Sequence, residues 1–545
     1  MWPVPGFEDT RLGVFMEPGV FKTRDRPDRS RREADFVRKT FGGIKMNFMA
    51  RLALGAFAVA ALTAPVWAQG GANVLGASVS RLLRDTGVYN VSKTGRAPSF
   101  VADPSWPQPL PNRWIFGQVA GLHVDRHNHI WVYNRARTST NEEVGSEAAL
   151  PGVTNAEGVP INGLGFPRPF GTMSDCCNAA PAVMEFDASG KLLRSWGGPS
   201  DRGFIGGKCK AEDGCIWPNG EHGIYVDQQD NVWITGNANP PAAPGAAPAA
   251  GRGAPAGPPP WRTNKEGGDG FLLKFDRDGN FKLRVGGTPR GPNSNDTDGG
   301  INGTPLLYRA TDMVRDPRTN RLYIADGYGN RHVLVIEADT GKFIGSFGAY
   351  GNNPIDDAAA VAAGPFSRDY AKGNRKPAFF RPPVHCVKLA EDGKLYVCDR
   401  GNNRIQVFDT HSPDLGRPCT NPGGEAGRCG FVAEQFLSEK TNTGIPGTAV
   451  SVSFSSDRAQ SCLYVGDNSN MTIYILNRSN LQELGRLGRS GKQIGQFHWL
   501  HTVATDGNGN IYTAEVDTGK RIQKFLRYGL SGCSGTGFTT IGPVP

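Results

Sequence analysis

Six copies of one strand pair lie along this chain, and this repetition strongly limits the folds that the chain can adopt. In each copy an apolar strand runs into a polar turn, and in most copies the next strand opens with an aliphatic residue followed by Trp or Tyr. Gly223–Asp227 followed by Val232–Thr235 is one copy, and Asp312–Asp316 followed by Leu322–Asp326 is another. Third strands such as Ile405–Asp409 come next, and several fourth strands end in Gly-Gly or Phe-Gly. Most units therefore supply four strands.

Repetition of this four-stranded unit predicts an all-β fold, a six-bladed β-propeller. The 73 Gly and 40 Pro residues suit many short strands and turns. The sixth unit ends near Leu530, so we expect a strand near Val88–Ser99 to complete that blade and close the ring. A β-sandwich is the alternative, but the regular repetition of the unit favours the propeller.

The N-terminal part has the features of an export signal. Residues 46–68 begin with a short basic stretch, continue with an apolar run from Leu52 to Val66 and end in the small residue Ala68. The run is too short for a comfortable membrane span, so we expect cleavage after Ala68, no stable membrane insertion and a periplasmic or secreted protein. An N-terminal extension with a membrane anchor is the alternative. The predicted divisions are a non-native or disordered extension at 1–45, the signal peptide at 46–68, an N-terminal segment at 69–109, the propeller at 110–530 and a C-terminal tail at 531–545.

The charge of the chain does not favour a nucleic-acid partner. The 60 basic and 51 acidic residues give a net charge of +9, and residues 1–68 hold 11 and 7 of them, which leaves +5 after cleavage. This small excess is spread along the chain and does not argue for nucleic acid. We expect a monomer whose partner is a small molecule or a peptide.

The ten cysteines all follow residue 68, which is consistent with an oxidising compartment. Two pairs bracket short Gly-rich loops and are the best candidates for disulfides. A third pair lies on adjacent predicted strands and forms either a disulfide or two buried thiols. The three pairs are Cys209/Cys215, Cys419/Cys429 and Cys386/Cys398.

Long insertions are expected to gather on one face of the propeller. In an antiparallel blade, the start of the first strand, the end of the second, the start of the third and the end of the fourth lie on the same face. Most long insertions are connections that leave from this face, so they should form a lid over it. The insertions span 136–181, 199–217, 238–268, 288–307 and 351–378.

Three histidines occupy the same position in alternate repeats. His222, His385 and His501 stand at the start of the first strand in units two, four and six, each eleven residues before the aromatic of the next strand. A single buried polar residue near a propeller axis would carry little meaning, but the other three units have no histidine here (near Ala120, Thr311 and Thr448). Three imidazoles meeting on the axis match the ligand set of catalytic zinc, although they also accept other divalent ions.

Three further residues follow second strands and should lie on the same face. They are Arg135, Tyr328 and Arg400. Taken singly, each is typical of a solvated loop or of an ion pair between blades. Together, beside a cation, they suggest a base and an anion clamp, because a guanidinium group binds a carboxylate in bidentate fashion.

Apart from Arg135, these residues lie in motifs that resemble one family. Across roughly residues 110–530 the chain resembles NHL-repeat propellers, and among them peptidyl-α-hydroxyglycine α-amidating lyase. The resemblance implies zinc on His222, His385 and His501, a base at Tyr328, and catalytic or substrate-binding roles for Arg135 and Arg400. The motifs are Glu221-His-Gly-Ile, Ala325-Asp-Gly-Tyr-Gly-Asn-Arg331, Val384-His385, Asp399-Arg-Gly-Asn-Asn-Arg-Ile-Gln406 and Leu500-His501.

Three positions depart from the family pattern. Thr502 replaces an Asp that helps to bind a structural calcium ion in the family, so the resemblance does not carry that calcium over. Trp499 replaces a Met of the pocket wall, and Gly329 replaces a disulfide-bonded Cys. The copper monooxygenase domain that usually accompanies the lyase does not occur in this sequence.

The resemblance implies a zinc-dependent lyase that cleaves the C–N bond of an N-acyl-α-hydroxyglycine and releases an amide and glyoxylate. The acyl group of this substrate is a peptide, a fatty acyl chain or a smaller group. A calcium-dependent lactonase-type hydrolase is one alternative, although such sites use carboxylate and amide ligands. A non-catalytic propeller that binds a protein or a polymer is the other, because one fold hosts many functions.

Overall fold

A computed structural model describes residues 90–92, 97–140, 143, 176–201, 203–239, 268–287, 304–354, 378–438, 447–528 and 533. The chain divides into two compact units, Met1–Gly70 and Gly71–Pro545, and all of these residues belong to the second. The predicted extension at 1–45 and the predicted signal peptide at 46–68 lie outside the described residues, as does the tail at 531–545 apart from Cys533.

The described residues form the six predicted blades, each an antiparallel four-stranded sheet. Blade 1 consists of Gln118–Val124, Ile130–Arg135, Val183–Phe186 and Leu192–Trp196; blade 2 of Glu221–Val226, Val232–Gly236, Phe271–Phe275 and Phe281–Gly286; blade 3 of Asp312–Asp316, Arg321–Asp326, His332–Glu337 and Phe343–Phe347; blade 4 of Val384–Leu389, Lys394–Asp399, Arg404–Asp409 and Phe431–Phe436; blade 5 of Ala449–Phe454, Cys462–Asp467, Thr472–Asn477 and Glu483–Leu487; and blade 6 of Leu500–Thr505, Ile511–Glu515, Arg521–Tyr528 and Ser99–Ala102.

Few other regular elements occur in the described part of the chain. Trp114–Ile115 and Asn178–Ala179 form a short parallel pair. Asn90–Ser92 adds a fifth strand to blade 5. The helical elements are short 3-10 turns at Pro111–Arg113, Ala136–Thr138, Ala211–Asp213, Ala349–Gly351 and Arg400–Asn402.

The recurring Asp and aromatic residue form one hydrogen-bonded unit. In blade 2, Asp227 directly follows the first strand, accepts the backbone N–H groups of Gln229 and Asn231, and also accepts the indole N–H of Trp233 at 3.0 Å. Blade 1 repeats the arrangement with Asp125 and Trp131. The carboxylate thus fixes the polar turn and places the aromatic ring between blades, where it is fully buried.

The ring of blades is closed by an N-terminal strand, as predicted. Ser99–Ala102 pairs antiparallel with the third strand of blade 6, and the first strands of neighbouring blades pack against one another all the way round. The predicted position of this strand needs a correction, because within Val88–Ser99 the strand Asn90–Ser92 pairs with blade 5 instead. Phe100 explains the register, since its side chain is fully buried and its ring meets Tyr464 of blade 5 edge to face.

Substitution of Phe100 by Ala should destabilise the ring at its closure. We expect Phe100→Ala to lower the free energy of unfolding by about 3–5 kcal/mol, because it removes a fully buried aromatic ring. Chemical denaturation followed by tryptophan fluorescence measures the change. Leu526→Ala is the control, since this side chain is 40% exposed on the adjacent strand and its loss should change stability by about 0.5 kcal/mol or less. Equal effects of both substitutions would contradict the closure by Phe100.

Five disulfides link the described cysteines. The three pairs expected from the sequence are all present, and two more join Cys176 to Cys177 and Cys462 to Cys533. Cys386–Cys398 joins the first two strands of blade 4 directly behind His385, and Cys462–Cys533 holds a C-terminal residue against blade 5. This number of disulfides indicates an exported or extracellular protein. Within the described segments, no helix has the length and hydrophobicity needed to cross a bilayer.

Candidate metal centre

Each of the three histidines stands at an irregularity in its first strand. In blade 4, Val384 pairs with Asp399 and Cys386 with Cys398, so His385 is an extra residue without a partner in the ladder. His501 is the extra residue in the same way in blade 6, and the register of blade 2 shifts at His222. A bulge turns a side chain away from its usual direction in the pleat. Here it directs all three imidazoles into a small central cavity lined by all six first strands.

The three imidazole rings form a nearly equilateral triangle. Their centroids are 4.8 to 5.0 Å apart, and one nitrogen from each ring lies within 4.8 Å of the others. The predicted convergence of the three histidines is therefore present in the geometry. Among the described residues, this group is one of two that combine three side chains able to bind a metal at such distances.

Each imidazole is held by the neighbouring blade through its Nδ1 atom. His222 bonds to the carbonyl of Thr311 at 2.7 Å, His385 to that of Val450 at 2.7 Å, and His501 to that of Ala120 at 2.6 Å. A carbonyl oxygen only accepts, so Nδ1 carries the proton and Nε2 keeps its lone pair. In blade 5 the acceptor is Val450, two residues beyond Thr448. Hydrogen bonds from Nδ1 to a backbone carbonyl fix the histidine tautomer in the same way at known metal sites.

The environment keeps the three rings neutral. The side chains are only 2–5% exposed. Burial lowers the pKa of each imidazole well below its usual value, and nearby guanidinium groups lower it further. The buried Nε2 atoms of His222 and His385 have no hydrogen-bond partner among the described residues. A buried acceptor left unpaired is costly, and a metal ion would satisfy it, so the residues present fit a three-imidazole metal site.

Tyr328 and Arg400 lie beside the histidines. The Tyr328 ring is 5.3 Å from that of His222 and 5.8 Å from that of His385. Arg400 donates one hydrogen bond to the phenol oxygen of Tyr328 at 3.3 Å and a second to the side-chain carbonyl of Asn468 at 3.1 Å. It is 5% exposed, and burial lowers its pKa. Its Nε has no partner among the described residues, which leaves a buried donor available to an anion.

Arg135 approaches from blade 1 and is held by neutral acceptors. It donates to the backbone carbonyl of Glu221, to the side-chain carbonyl of Gln118 and to that of Asn237. Burial lowers its pKa, while the electrostatic influence of Tyr328 opposes that shift. The three residues named from the ends of second strands are therefore brought to one site. Gln118, Asn237 and Asn468, which orient the two guanidinium groups, were not foreseen.

Arg309 is a further arginine of this site that sequence reasoning missed. Its guanidinium group lies over the face of the Tyr328 ring, 5.2 Å from the centroid, and its Nε donates to the backbone carbonyl of Asn237 at 2.8 Å. The position offered a signal, since Arg309 lies two residues before Thr311, just as Trp499 lies two residues before His501.

The position that follows the third histidine does not fit a calcium ion. The hydroxyl group of Thr502 donates to the carbonyl of Ala120 at 2.9 Å. The acidic residue in the lining of the central cavity is Asp312, which pairs with the ammonium group of Lys388 at 3.0 Å. Calcium sites need several oxygen ligands with net negative charge. Thr502 and Asp312 therefore offer this cavity few free oxygen ligands for a calcium ion.

The second group of potential metal ligands is better explained as an ion-pair network. It consists of Asp125, His129 and Glu185. Glu185 binds the guanidinium groups of Arg194 and Arg277, and Asp125 accepts the hydrogen bonds of its turn and of an indole. Because these carboxylates already have partners, the cluster stabilises the outer part of blade 1 and its junction with blade 2.

The predicted lid falls largely outside the described residues. Most of 136–181, 238–268, 288–307 and 351–378 lies there. Within 199–217, the Cys209–Cys215 loop places the rings of Phe204 and Trp217 against the core of blades 1 and 2, where both are buried. The indole of Trp217 also donates to Glu221, next to His222.

The amino-acid sequence of this chain is similar to one repeat family and to one amidating enzyme. A family model for the NHL repeat matches residues 384–408, which form the first three strands of blade 4. Peptidyl-glycine alpha-amidating monooxygenase B of Xenopus laevis is 23% identical over 206 residues, which cover 38% of this chain. The match spans about a fifth of that relative's length, 19%.

Solved structures of similar shape include a streptogramin B lyase, with a TM-score of 0.37, 11% identity, and coverage of 79% of this chain and 98% of that one. Virginiamycin B lyase from Staphylococcus aureus follows at a TM-score of 0.33 and 10% identity, with coverage of 75% and 84%. The blade arrangement defines this chain as a six-bladed β-propeller, and its fourth blade matches the NHL repeat. Within that class it resembles the amidating enzyme, as the sequence motifs indicated.

Proposed function

We propose that this protein is a metal-dependent lyase that cleaves an N-acyl-α-hydroxyglycine, R-CO-NH-CH(OH)-COO⁻, into an amide and glyoxylate. The observation that carries the proposal is the triangle of neutral imidazoles beside a tyrosine and two arginines that form no ion pair with a described carboxylate. The distant similarity to the amidating enzyme supports the same reaction class. The acyl group R is a peptide, a fatty acyl chain or a smaller group.

His222, His385 and His501 would hold the metal ion, with zinc as the expected metal. When bound, such an ion acts as a Lewis acid toward an oxygen of the substrate. The tautomer set by the carbonyls of Thr311, Val450 and Ala120 presents the three Nε2 lone pairs without any rearrangement.

Arg135 and Arg400 would bind the substrate carboxylate. Both guanidinium groups donate to neutral oxygen atoms, and neither forms an ion pair with a described carboxylate. A carboxylate that enters the site therefore gains charge-assisted hydrogen bonds and competes with no internal anion. This binding fixes the α-carbon close to the imidazoles and to Tyr328.

Tyr328 would act as the base. Arg400 donates to its oxygen, and this hydrogen bond is strongest when the oxygen is a phenolate. The phenolate oxygen takes the proton of the substrate hydroxyl, the electrons of that O–H bond form the carbonyl of glyoxylate, and the C–N bond breaks. The proton then goes to the leaving nitrogen, which completes the amide.

Glyoxylate release tests this function directly. We expect the purified protein to convert N-butyryl-α-hydroxyglycine to butyramide and glyoxylate in a 1:1 ratio. Chelation should abolish the activity, and zinc should restore it. Glyoxylate and amide are quantified by chromatography.

Two results would contradict the lyase. One is hydrolysis of a lactone with calcium while no glyoxylate forms, which would favour the hydrolase. The other is binding of a polymer by protein that contains no transition metal, which would favour the non-catalytic propeller.

A further inference from the structure

Arg309 adds a third guanidinium group to the site, and it is held there by the same residue that orients Arg135. The side-chain oxygen of Asn237 accepts from Arg135 at 3.2 Å, and the backbone oxygen of Asn237 accepts from Nε of Arg309 at 2.8 Å. These two acceptors are neutral. Among the described residues, Arg309 forms no ion pair, and its two terminal nitrogens have no assigned acceptor. They are therefore available to a ligand.

The backbone of Arg309 has an unfavourable conformation for this residue. Its φ of 63° lies in the left-handed region, which non-glycine residues adopt uncommonly. Strain of this kind persists where the surroundings fix it, often at binding sites. Here it carries the side chain over the face of Tyr328, while Arg400 approaches the hydroxyl of the same ring. The guanidinium group of Arg309 thus contacts the face of the ring, and that of Arg400 contacts the hydroxyl group.

The internal acids near these arginines already have partners. Glu221 accepts from Arg137 at 3.0 Å and from the indole of Trp217. Asp269 accepts the backbone N–H groups of Asn219, Gly220 and Ala238. The partners of Asp269 are uncharged, so its carboxylate offsets part of the positive charge of Arg135 and Arg309, but the three guanidinium groups outnumber it. A second anionic group on the substrate would therefore find a cationic partner in Arg309, which forms no ion pair among the described residues.

We infer that Arg309 is a specificity-determining residue that binds a second anionic group, located on the acyl side of the substrate. The inference rests on the proposed function and narrows its substrate class to dianions, N-acyl-α-hydroxyglycines whose acyl group carries a carboxylate. Arg135 and Arg400 bind the carboxylate common to all such substrates, and Arg309 distinguishes among the acyl groups.

A matched pair of substrates tests the preference. N-succinyl- and N-butyryl-α-hydroxyglycine have similar lengths, but only the former has a carboxylate at the acyl end. We expect the wild type to show a kcat/KM about 10- to 100-fold higher for the succinyl compound, the range that one hydrogen bond to a charged group provides. Arg309→Gln should reduce this ratio to within about threefold, and Arg309→Lys should restore part of it. Gln occupies the same backbone conformation at no extra strain, so the substitution reports on charge.

A binding measurement separates this inference from the proposed reaction. N-succinylglycine and N-butyrylglycine lack the hydroxyl group and cannot react. By calorimetry, the wild type should bind the succinyl compound at least about tenfold more tightly, and Arg309→Gln should lose the difference. This result would support the second anion site even if no glyoxylate formed in the turnover assay.

Other outcomes would overturn the inference. Equal affinity of the wild type for both glycines would do so. So would an equal loss of affinity for both in Arg309→Gln, since Arg309 would then bind the shared carboxylate. Arg126→Gln is the matched control, because this arginine is exposed in a turn of blade 1, pairs with Asp230 of blade 2 and should leave both affinities unchanged.

Discussion

His385→Ala is expected to lose both the bound metal and the lyase activity. The substitution removes one of three imidazole ligands, whereas loss of a residue that merely supports a ligand already costs about 10- to 100-fold in metal affinity or activity. We therefore expect metal content below about a tenth of an equivalent after dialysis and a turnover reduced at least about 1000-fold. Metal analysis by mass spectrometry and the glyoxylate assay measure the two effects on one preparation.

His411→Ala is the control for this experiment. This imidazole is 57% exposed in a turn of blade 4, where it pairs with Asp409 and is not one of the three histidines of the centre. Its loss should change neither metal content nor turnover. Circular dichroism and thermal unfolding must show that His385→Ala remains folded. A folded His385→Ala protein that keeps a full equivalent of metal would disprove the role of this residue as a ligand.

Tyr328→Phe is expected to keep the metal and to lose turnover. The phenol oxygen is the proposed proton acceptor, and a positioned acid or base contributes about 10²- to 10⁴-fold to a rate. The ring itself is retained, so the stacking of Arg309 and the packing near His222 remain. We expect kcat to fall by that factor while KM and metal content change little, as measured by steady-state glyoxylate release.

Tyr133→Phe is a matched control for the loss of a tyrosine hydroxyl. Tyr133 is buried in the second strand of blade 1, two residues before Arg135, and its hydroxyl has no hydrogen-bond partner among the described residues. Its removal should leave kcat unchanged. If Tyr328→Phe were as active as Tyr133→Phe, another group would have to take the hydroxyl proton.

The architecture could be predicted because each repeat contains the residues that form its turn and its buried aromatic contact. Asp227 and Trp233, like Asp125 and Trp131, are visible in the sequence at a fixed spacing, and the structure shows them hydrogen bonded. The blade count and the presence of a closing strand follow from this repetition. The register of that strand does not, because it depends on the burial of Phe100 against Tyr464, far away in the sequence.

The candidate site could be predicted in part for a similar reason. The histidines share one position in alternate blades, and a closed ring necessarily brings equivalent positions together. Their acceptors in the neighbouring blades are backbone carbonyls, which have no sequence signature. Arg309 was missed because its blade has no histidine to draw attention to the position two residues before Thr311, although the fold places its guanidinium group over Tyr328.

X-ray absorption at the metal edge of the purified protein tests the central claim most directly. Three imidazoles on one ion predict one equivalent of metal with three nitrogen ligands at about 2.0–2.1 Å and one further oxygen or nitrogen ligand. A spectrum with sulfur ligands, with oxygen ligands alone or with fewer than three imidazoles would show that His222, His385 and His501 do not share an ion.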